Sequence, residues 1–496
     1  MIQTTLKKRV GMRSLQTIAT GFALSLTLLP RLASGTEITS ELADTVINTQ
    51  VQTVDLYNGG PNNNVPNGEP TEQRGGFGAY SAAETVDPGW NGFTHAFINR
   101  DFSRLEVDFP ARGMNHLIGQ SRAIYINAET HRLLGIEDSR FLQVTQQAAD
   151  FLIATAWDET HGGWYWGIEP SGTNPPLDNS DVYGPPARAK DAYGQVHASL
   201  SLATAYRVTQ DPLHLEAAVR GWTHFKRNHA DTVDGGYAPS FNRDYSELLP
   251  IDEGGMRNMD YMLHSFEAVI ALADVTESEL HAQLMQDAQE IGQHIVTRMV
   301  QIDENSWDGK QYTRAYIPWF FTADWQPAIT QPDSPLRNYA SPGHQFEFAL
   351  FLSRAVEQGI GDVSWLTAAE QLLSHGLYYT YDHVHGTVNY DRFFLSGDPY
   401  ASDEVVTWWP QAEAARALAH FAIVRDRPDL WDEFELTFST IQTNLTDPLY
   451  GGWFSALSPD TLAPVDPEGV KGQPWKVYYH ATMLQAELVR LSQLSE

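Results

Sequence analysis

The sequence predicts an all-α protein folded as an (α/α)6 barrel, a closed ring of six helix pairs with short β-hairpins in the inter-helix loops. Two observations support this prediction. Apolar residues recur with helical spacing in twelve successive stretches from residue 90 onward. Between alternate stretches a glycine-containing turn returns every 65 to 77 residues, at Gly162, Gly235, Gly309, Gly386 and Gly451. Such a repeated unit is typical of a helical ring or solenoid.

Each predicted helix is a run of apolar positions bounded by turn residues. The twelve runs cover residues 90–107, 113–134, 139–156, 188–207, 212–229, 257–274, 278–301, 340–358, 362–376, 404–424, 428–444 and 474–494. In up-down order, alternate helices form an inner layer and the others wrap around it. A closed ring leaves no exposed end, whereas an open solenoid, the alternative, leaves two.

The N-terminus has the pattern of a secretory signal peptide over residues 1–35. Basic residues between Lys7 and Arg13 precede an apolar run at 18–29, and small residues at 33–35 fit a cleavage site. We therefore expect export to the periplasm or the extracellular space, with no membrane segment after cleavage. Residues 36–88 lack apolar periodicity and are predicted to be an irregular leader, and residues 89–496 the catalytic barrel.

Composition limits the partners and the chemistry of this chain. The formal net charge of -30 opposes binding to nucleic acid, so we expect no nucleic-acid partner. The absence of cysteine excludes disulfides, a thiolate nucleophile and cysteine-ligated zinc. A small uncharged ligand is the easier partner to accommodate.

Two distant histidines are candidates for acid/base chemistry. His264 lies in a predicted helix with Glu267 three residues later, on the same face, where the carboxylate can fix the imidazole tautomer. Asn258 belongs to the same segment. His480 lies in the last predicted helix, about two turns after Pro474. An imidazole side chain gains and loses a proton near neutral pH, so the two histidines suggest proton transfer by two bases.

Other polar groups fall on alternate helices, the inner ones of a ring. The Arg122 guanidinium can hold an oxygen on which negative charge develops, although a structural ion pair is the more common role. Tyr193 and His197 share a helical face, a pattern that is usually a core contact. His344 and Glu347 repeat the His-x-x-Glu spacing of the earlier pair. Two such pairs could ligate a metal, but bundle metal sites usually have more carboxylates, so we expect no metal and no cofactor.

A tryptophan pair begins the tenth predicted helix. Trp408 and Trp409 could stack on the apolar face of a sugar ring, and Gln411 and Glu413 could bond its hydroxyl groups. A tryptophan pair alone is more often part of a core.

Taken together, these segments resemble the N-acylglucosamine 2-epimerase family, which includes cellobiose 2-epimerases and mannose-type aldose-ketose isomerases. The resemblance runs from about residue 90 to the C-terminus. Each motif is short, but their order and spacing are specific. The motifs are Gln120-Ser121-Arg122, Asp158-Glu159-Thr160-His161-Gly162-Gly163, Lys190 through Gln195, Asn258 with Leu263-His264 and Glu267-Ala268, Pro342-Gly343-His344 with Glu347, Trp409-Pro410-Gln411-Ala412-Glu413, and Lys471-Gly472 with Pro474-Trp475-Lys476 and Tyr479-His480.

The resemblance implies an (α/α)6 barrel and a metal-free reaction at C2 of a reducing sugar, through an enediolate. It implies that His264 and His480 are the acid/base groups, that Arg122 contacts the reacting oxygens and that Glu267 supports its histidine. It also places several residues in the substrate-binding wall. These are His197, Glu347, Trp408 or Trp409, and Gln411, to which we add Tyr193, Asn258, His344 and Glu413.

Two other functions remain open at this point. A secreted glycoside hydrolase on the same barrel would use two carboxylates about 5 to 10 Å apart. Candidates for that pair are Asp158, Asp260, Glu267, Glu347 and Glu413. A non-catalytic sugar-binding barrel is the second alternative. The sequence does not distinguish a monosaccharide from a disaccharide, nor a monomer from a homodimer.

Overall fold

The structure is a computed structural model. It describes residues 37–58, 97–98, 100, 104–105 and 115–494, the last range with short gaps at 136–138, 170–172, 178, 180, 182–183, 250–255, 304–313, 329–338, 390–392, 395–404, 468, 470 and 473–474. The predicted signal segment at 1–35 and the end of the predicted leader, 59–88, lie outside these residues. No described helix is long and apolar enough to cross a membrane.

Twelve α-helices in the described part of the chain form two concentric layers, which confirms the predicted (α/α)6 barrel. The inner helices are α2 (Leu117–Leu134), α4 (Ala192–Thr209), α6 (Met259–Ala273), α8 (Pro342–Glu357), α10 (Trp408–Val424) and α12 (Tyr479–Ser492). The outer helices are α1 (Ser40–Tyr57), α3 (Arg140–Ala156), α5 (Pro212–His229), α7 (Ser278–His294), α9 (Val363–Tyr379) and α11 (Trp431–Thr440). Wider π-helical turns at Ile295–Met299 and Ile441–Leu445 continue α7 and α11.

The two layers differ in how they are buried. Inner helices are buried on nearly every face, and α4 alone buries thirteen of its eighteen residues. Outer helices bury one stripe, as α3 does with Phe141, Val144, Ala148 and Leu152. A helix that is apolar around its circumference belongs inside, and one with a single stripe belongs at the surface of the ring.

Several helices begin at a side-chain cap that the sequence supplies. Asp191, Asp211 and Asp362 each accept a backbone N–H of the first turn of α4, α5 and α9. Asn258 caps α6 by accepting from Asp260 N and Tyr261 N. These side chains satisfy donors that would otherwise have no partner, so they fix where the helices start.

Short antiparallel strand pairs connect the helices at one end of the ring. A strand directly precedes five of the inner helices and pairs with a strand from a later loop. These five pairs are Asn115–His116 with Gly167–Ile168, Lys190–Asp191 with Ser240–Phe241, Arg257–Asn258 with Phe320–Phe321, Tyr339–Ala340 with Phe393–Phe394, and Val406–Thr407 with Ala456–Leu457. Three further pairs among the described residues are Phe97–Ile98 with Arg104–Leu105, Gln301–Asp303 with Arg314–Tyr316, and Tyr381–Asp382 with Thr387–Val388.

Three predictions about the chain's ends are wrong. The predicted helix at 90–107 contains instead a strand pair, Phe97–Ile98 with Arg104–Leu105. The first helix is α1, inside the predicted irregular leader; it packs its apolar stripe on α2 and α12. The last helix starts at residue 479 and not near 474, because Tyr478 adopts a left-handed conformation with φ of 61°. His480 therefore lies in the first turn of α12.

Candidate active site

A cavity of about 500 Å3 opens at the end of the ring where the inner helices begin. Its wall combines aromatic rings with a small number of polar groups, as small-molecule sites usually do. The aromatic residues are Trp166, Tyr193, Tyr261, Trp319, Tyr339, Trp408, Trp409 and Trp475, and the polar ones are Arg122, Asp191, Asn258, Asp260, His264, Ser341, His344 and His480. The two histidines predicted to act together therefore share one cavity.

His264 lies in the second turn of α6 and is held from behind by a carboxylate. Its Nδ1 is 2.9 Å from Oε2 of Glu267, and the Tyr479 hydroxyl donates to both oxygens of the same carboxylate at 2.9 Å. With Nδ1 on the carboxylate, Nε2 is the nitrogen left to exchange a proton. The side chain is only 1% exposed, so it can exchange a proton only with a group that enters the cavity.

His480 has the same arrangement, but its carboxylate comes from another helix. Nδ1 of His480 is 2.8 Å from Oε1 of Glu413 on α10, and Oε2 of Glu413 accepts from Arg416 at 2.5 Å. The rings of Trp408 and Trp409 lie 5.5 and 5.4 Å from the imidazole. Burial lowers the pKa of His480 to about 4, although Glu413 opposes this shift. The imidazole is therefore neutral at neutral pH.

Arg122 reaches the cavity from α2 and is held rigidly. It donates to the carbonyl oxygen of Trp475 at 2.5 Å and to the Tyr193 hydroxyl at 2.7 Å, and its guanidinium lies 4.7 Å from the Tyr479 ring centre. It has no carboxylate partner among the ion pairs of the described residues. Its positive charge is thus available to a ligand oxygen in the cavity.

Three predicted wall residues lie behind the wall instead. The His197 ring packs 4.4 Å from the His264 ring and is 1% exposed. Glu347 and Glu413 are fully buried, beneath the cavity floor. Burial, and then the nearby charge of Glu413, raise the pKa of Glu347 well above its usual value, so Glu347 is a neutral acid. Burial alone would raise the pKa of Glu413, but Arg416 and His480 hold it below its usual value.

Gln411 is not brought to the cavity, contrary to its predicted role in binding substrate hydroxyls. Its side-chain oxygen accepts from Val388 N at 2.9 Å, and its amide nitrogen donates to Val388 O and Thr407 O at 2.9 Å. Both ends of the amide are used by the backbone, and the residue is 2% exposed. Gln411 therefore binds a hairpin to α10.

The two His-x-x-Glu pairs do not combine into a metal site. The groups that do come together are Glu347, Glu413 and His480, whose potential ligand atoms lie within 4.8 Å of one another. Arg416 already occupies one oxygen of Glu413, and a cation there would meet the guanidinium charge. The arrangement fits a supported acid/base histidine better than it fits a metal ion.

The cavity also contains residues that the sequence did not assign to it. Trp319 and Trp475 lie in loops and Tyr339 in a short strand, all between helices of the ring. Asp260 appeared in the sequence only as one of several carboxylates. Its position four residues before His264, hence on the same helical face, is the signal that could have identified it.

Comparison with known proteins identifies the family of this chain. Residues 101–483 match the family described as N-acylglucosamine 2-epimerase (GlcNAc 2-epimerase). The cellobiose 2-epimerase of Bacteroides fragilis is 26% identical over 383 residues, which is 74% of this chain and 86% of that protein.

Solved structures share the fold. Cellobiose 2-epimerase from Spirochaeta thermophila superposes with a TM-score of 0.66 at 22% identity, covering 83% of this chain and 92% of that chain. A D-mannose isomerase superposes with a TM-score of 0.68 at 15% identity, covering 91% of this chain and 98% of that chain. The match to the family extends over most of the sequence, and the chain belongs to the N-acylglucosamine 2-epimerase family of carbohydrate epimerases and isomerases.

Proposed function

We propose that this protein acts at C2 of a reducing sugar, as an epimerase or an aldose-ketose isomerase, through an enediolate and without a metal. One observation supports the proposal above the others. His264 and His480 line the same cavity, and each has Nδ1 held by a buried carboxylate, so that each can exchange a proton through Nε2. This is the arrangement that removal and return of one proton requires.

The reaction starts from the open-chain aldehyde. One histidine takes the proton from C2, and the negative charge moves to O1 as the enediolate forms. Arg122, held in place by Tyr193 and the Trp475 carbonyl, stabilises that oxygen as its negative charge develops. Return of a proton to C2 from the opposite face by the second histidine inverts the carbon, whereas delivery to C1 gives the ketose.

The proposed substrate is an uncharged mono- or disaccharide. Aromatic faces on the wall suit the apolar faces of sugar rings. A cavity of about 500 Å3 lies in the usual range for small-molecule sites. The relatives named cellobiose 2-epimerase and D-mannose isomerase make β-linked disaccharides and mannose the first sugars to test.

A glycoside hydrolase is less well supported because its carboxylate pair is not assembled. Of the five candidates, only Asp260 lines the cavity. Asp158 is bound by Lys190 and Arg243 away from it. Glu267 and Glu413 are bonded to the two histidines, and Glu347 is neutral below the floor.

The test is a panel of reducing sugars incubated in heavy water and followed by proton NMR. We expect loss of the C2 proton signal and appearance of a C2 epimer or ketose, with the glycosidic bond of a disaccharide intact. His264→Gln and His480→Gln should each lower formation of the C2 epimer at least about a hundredfold, because inversion needs both imidazoles. The surface variant His383→Gln, which alters a half-exposed histidine, is the control.

Two results would refute the proposal. Release of two monosaccharides from a disaccharide would indicate a hydrolase, and full C2 exchange in both histidine variants would exclude the two-base mechanism. Activity should also survive treatment with a chelator, because no step uses a metal. We further propose export through residues 1–35; N-terminal sequencing of protein recovered outside the cytoplasm should then begin near Thr36.

A further inference from the structure

Asp260 has a position that the C2 chemistry does not explain. It lies in the first turn of α6, one turn before His264, and it lines the cavity. Its Oδ1 is 3.2 Å from Nε2 of His344 and 3.7 Å from Nε2 of His264. One carboxylate oxygen, itself buried, thus faces two imidazoles on a residue that lines the cavity.

The surroundings of Asp260 are rigid. The His344 ring lies between two indoles, 5.1 Å from Trp319 and 4.5 Å from Trp409. Asn258 accepts the backbone N–H of Asp260, which fixes the start of the helix. The carboxylate is held in place from both sides and does not depend on a flexible loop.

Asp260 is also kept ionised. Burial alone would raise its pKa, but the hydrogen bond and charge of His344, and then the charge of His264, hold the pKa below its usual value. A negative charge in the first turn of a helix is favoured by the helix dipole as well. At neutral pH the side chain is a carboxylate, which can accept a proton.

The other carboxylate among the described wall residues has a structural role. Asp191 caps α4 by accepting from Gly194 N at 3.2 Å, and it accepts from the Ser240 hydroxyl at 2.5 Å. Asp260 is therefore the wall carboxylate placed to act on a ligand.

A reducing sugar is mostly a closed ring, so a step must come before C2 chemistry. Opening the ring removes a proton from the anomeric hydroxyl, O1, and adds one to the ring oxygen, O5. Both atoms are bonded to C1, next to the carbon between the histidines. Ring opening therefore needs a base close to His264.

Resting on the function proposed above, we propose that Asp260 is the catalytic base of ring opening. The O1 proton passes to the Asp260 carboxylate, and protonated His264 gives its Nε2 proton to O5. The C1–O5 bond breaks and the C1–O1 bond becomes a carbonyl. The ion pair becomes a neutral carboxylic acid and a neutral imidazole, so protons and charge balance.

This order has a useful consequence. After ring opening, His264 is neutral, which is the form that can accept the C2 proton. His344, 3.2 Å from Asp260, orients the carboxylate and stabilises its charge before the proton arrives. His344 is thus a positioning residue in this step.

The test compares a sugar that closes into a ring with an aldose that is too short to do so. In Asp260→Asn, we expect C2 exchange of the active hexose to fall about a hundredfold or more, as for loss of a general base. C2 exchange of glyceraldehyde, relative to the native protein, should fall far less. Asp191→Asn should leave the ratio between the two substrates unchanged.

A second readout uses the hexose deuterated at C2. In Asp260→Asn, ring opening becomes the slow step, so the isotope effect on kcat should be close to unity. A full primary isotope effect in this variant, or equal losses for hexose and glyceraldehyde, would overturn the proposal. If Asp260→Asn does not fold, His344→Gln decides, since it should shift the substrate ratio in the same direction by a smaller factor.

The two proposals fail in different ways. If His264→Gln and His480→Gln both retain full C2 exchange on both substrates, the proposed function itself is refuted. If His264→Gln loses both while Asp260→Asn retains the hexose reaction, only the role of Asp260 is refuted.

Discussion

The two histidines proposed as acid/base groups differ in where their carboxylates come from. Glu267 is one turn from His264 on α6, whereas Glu413 reaches His480 from the neighbouring helix α10. His480 is buried strongly enough that its pKa falls to about 4, with Glu413 opposing that fall. Because the folded-state pKa is depressed, the neutral base form prevails above about pH 4 and is lost as the pH falls below it.

The variant Glu413→Gln tests this balance. Gln can still accept from His480 Nδ1 but carries no charge, so the pKa of His480 should fall further. The acid limb of the kcat/KM profile should then move to lower pH. The kcat at neutral pH should fall about tenfold or more, because the protonated form that returns a proton becomes scarcer.

The measurement is a pH profile of kcat/KM over about pH 3 to 9 for both proteins, so that the acid limb falls within the range. Glu433→Gln, at a partly exposed carboxylate paired with His383, is the control and should leave the profile unchanged. An identical acid limb in Glu413→Gln and the native protein would contradict this account of His480.

Sequence spacing predicts which side chains meet within one helix, but it does not predict contacts between side chains on different helices. The spacing of His264 and Glu267 predicted their contact, and the structure places them 2.9 Å apart. The contact of His480 with Glu413 joins two neighbouring inner helices, which spacing within one helix does not predict. Glu413 was therefore expected to bond a sugar hydroxyl. Asp260 was recognised only as a carboxylate, because its bond to His344 joins α6 to α8.

Among the connecting elements that the structure describes, one turn is built four times from the same parts; the predicted turn at Gly309 lies outside the described residues. Asp158, Asp231, Asp382 and Asp447 each accept backbone N–H groups two and three residues later through Oδ1. A glycine with positive φ follows four residues after each aspartate, at 162, 235, 386 and 451. Only glycine adopts this conformation without cost, which explains the repeated glycine in the sequence.

A glutamine near the start of an inner helix holds the loop or hairpin that precedes that helix in the chain. Gln195 bonds both backbone groups of Trp164, Gln345 those of Ile317 and Gln411 those of Val388. These contacts are equivalent by position in the ring. Gln411 thus belongs to a repeated structural device, which a single sequence motif could not reveal.

Gln411→Ala is expected to lower stability without affecting substrate binding. The change leaves the N–H and C=O of Val388 without their partner in a buried place, at about 1–3 kcal/mol for each group. The KM for the active sugar should change less than about twofold, since small effects accompany residues outside the cavity. Urea unfolding and steady-state kinetics measure the two quantities.

Trp409→Ala is the matched comparison, because Trp409 lines the cavity on the same helix. Its KM should rise. If Gln411→Ala raised KM as much as Trp409→Ala does, the original expectation of a substrate-binding glutamine would be restored.

Eleven of the twelve helices were predicted from periodicity, with ends displaced by a few residues. The exceptions have physical reasons. The start of α12 is set by the left-handed Tyr478, a conformation that nothing in the sequence announces. The stretch at 90–107 has helical spacing but contains the strand pair Phe97–Ile98 with Arg104–Leu105, where pairing between segments outweighs local preference.

At the scale of the whole molecule, α1 completes the ring. It packs against α2 and α12, the first and last inner helices. Gln50 donates to Thr130 on α2 at 2.9 Å and to Thr482 on α12 at 2.8 Å. The Tyr57 hydroxyl donates to the carbonyl oxygen of Lys471 at 2.9 Å. One outer helix thus joins the two ends of the barrel.

The sequence did not reveal this role because the partner is far away. The contact between Gln50 and Thr482 spans 432 positions. The glycine- and asparagine-rich stretch after α1 suggested that the whole leader is irregular. Closure of a ring is a property of its two ends together, so periodicity within one segment cannot predict which segment closes it.

Deletion of residues 1–58 should therefore destabilise the barrel. The deletion removes Leu42, Val46, Val54 and Tyr57, all nearly or fully buried. Burial of such a side chain contributes about 1.5–3 kcal/mol. The loss is comparable with the whole stability of a typical protein, about 5–15 kcal/mol. We expect insoluble protein or a much lower Tm, and loss of C2 exchange, because His480 lies on the helix that α1 supports.

Three further variants test whether the loss of stability is due to α1. Deletion of residues 1–35 alone should leave Tm and C2 exchange unchanged, because α1 is retained. Leu42→Ala in the full chain should lower the free energy of unfolding by about 2–5 kcal/mol. Glu41→Ala, at an exposed neighbour, should leave it nearly unchanged. Equal melting temperatures for the chains starting at residues 36 and 59 would mean that the ring closes without α1.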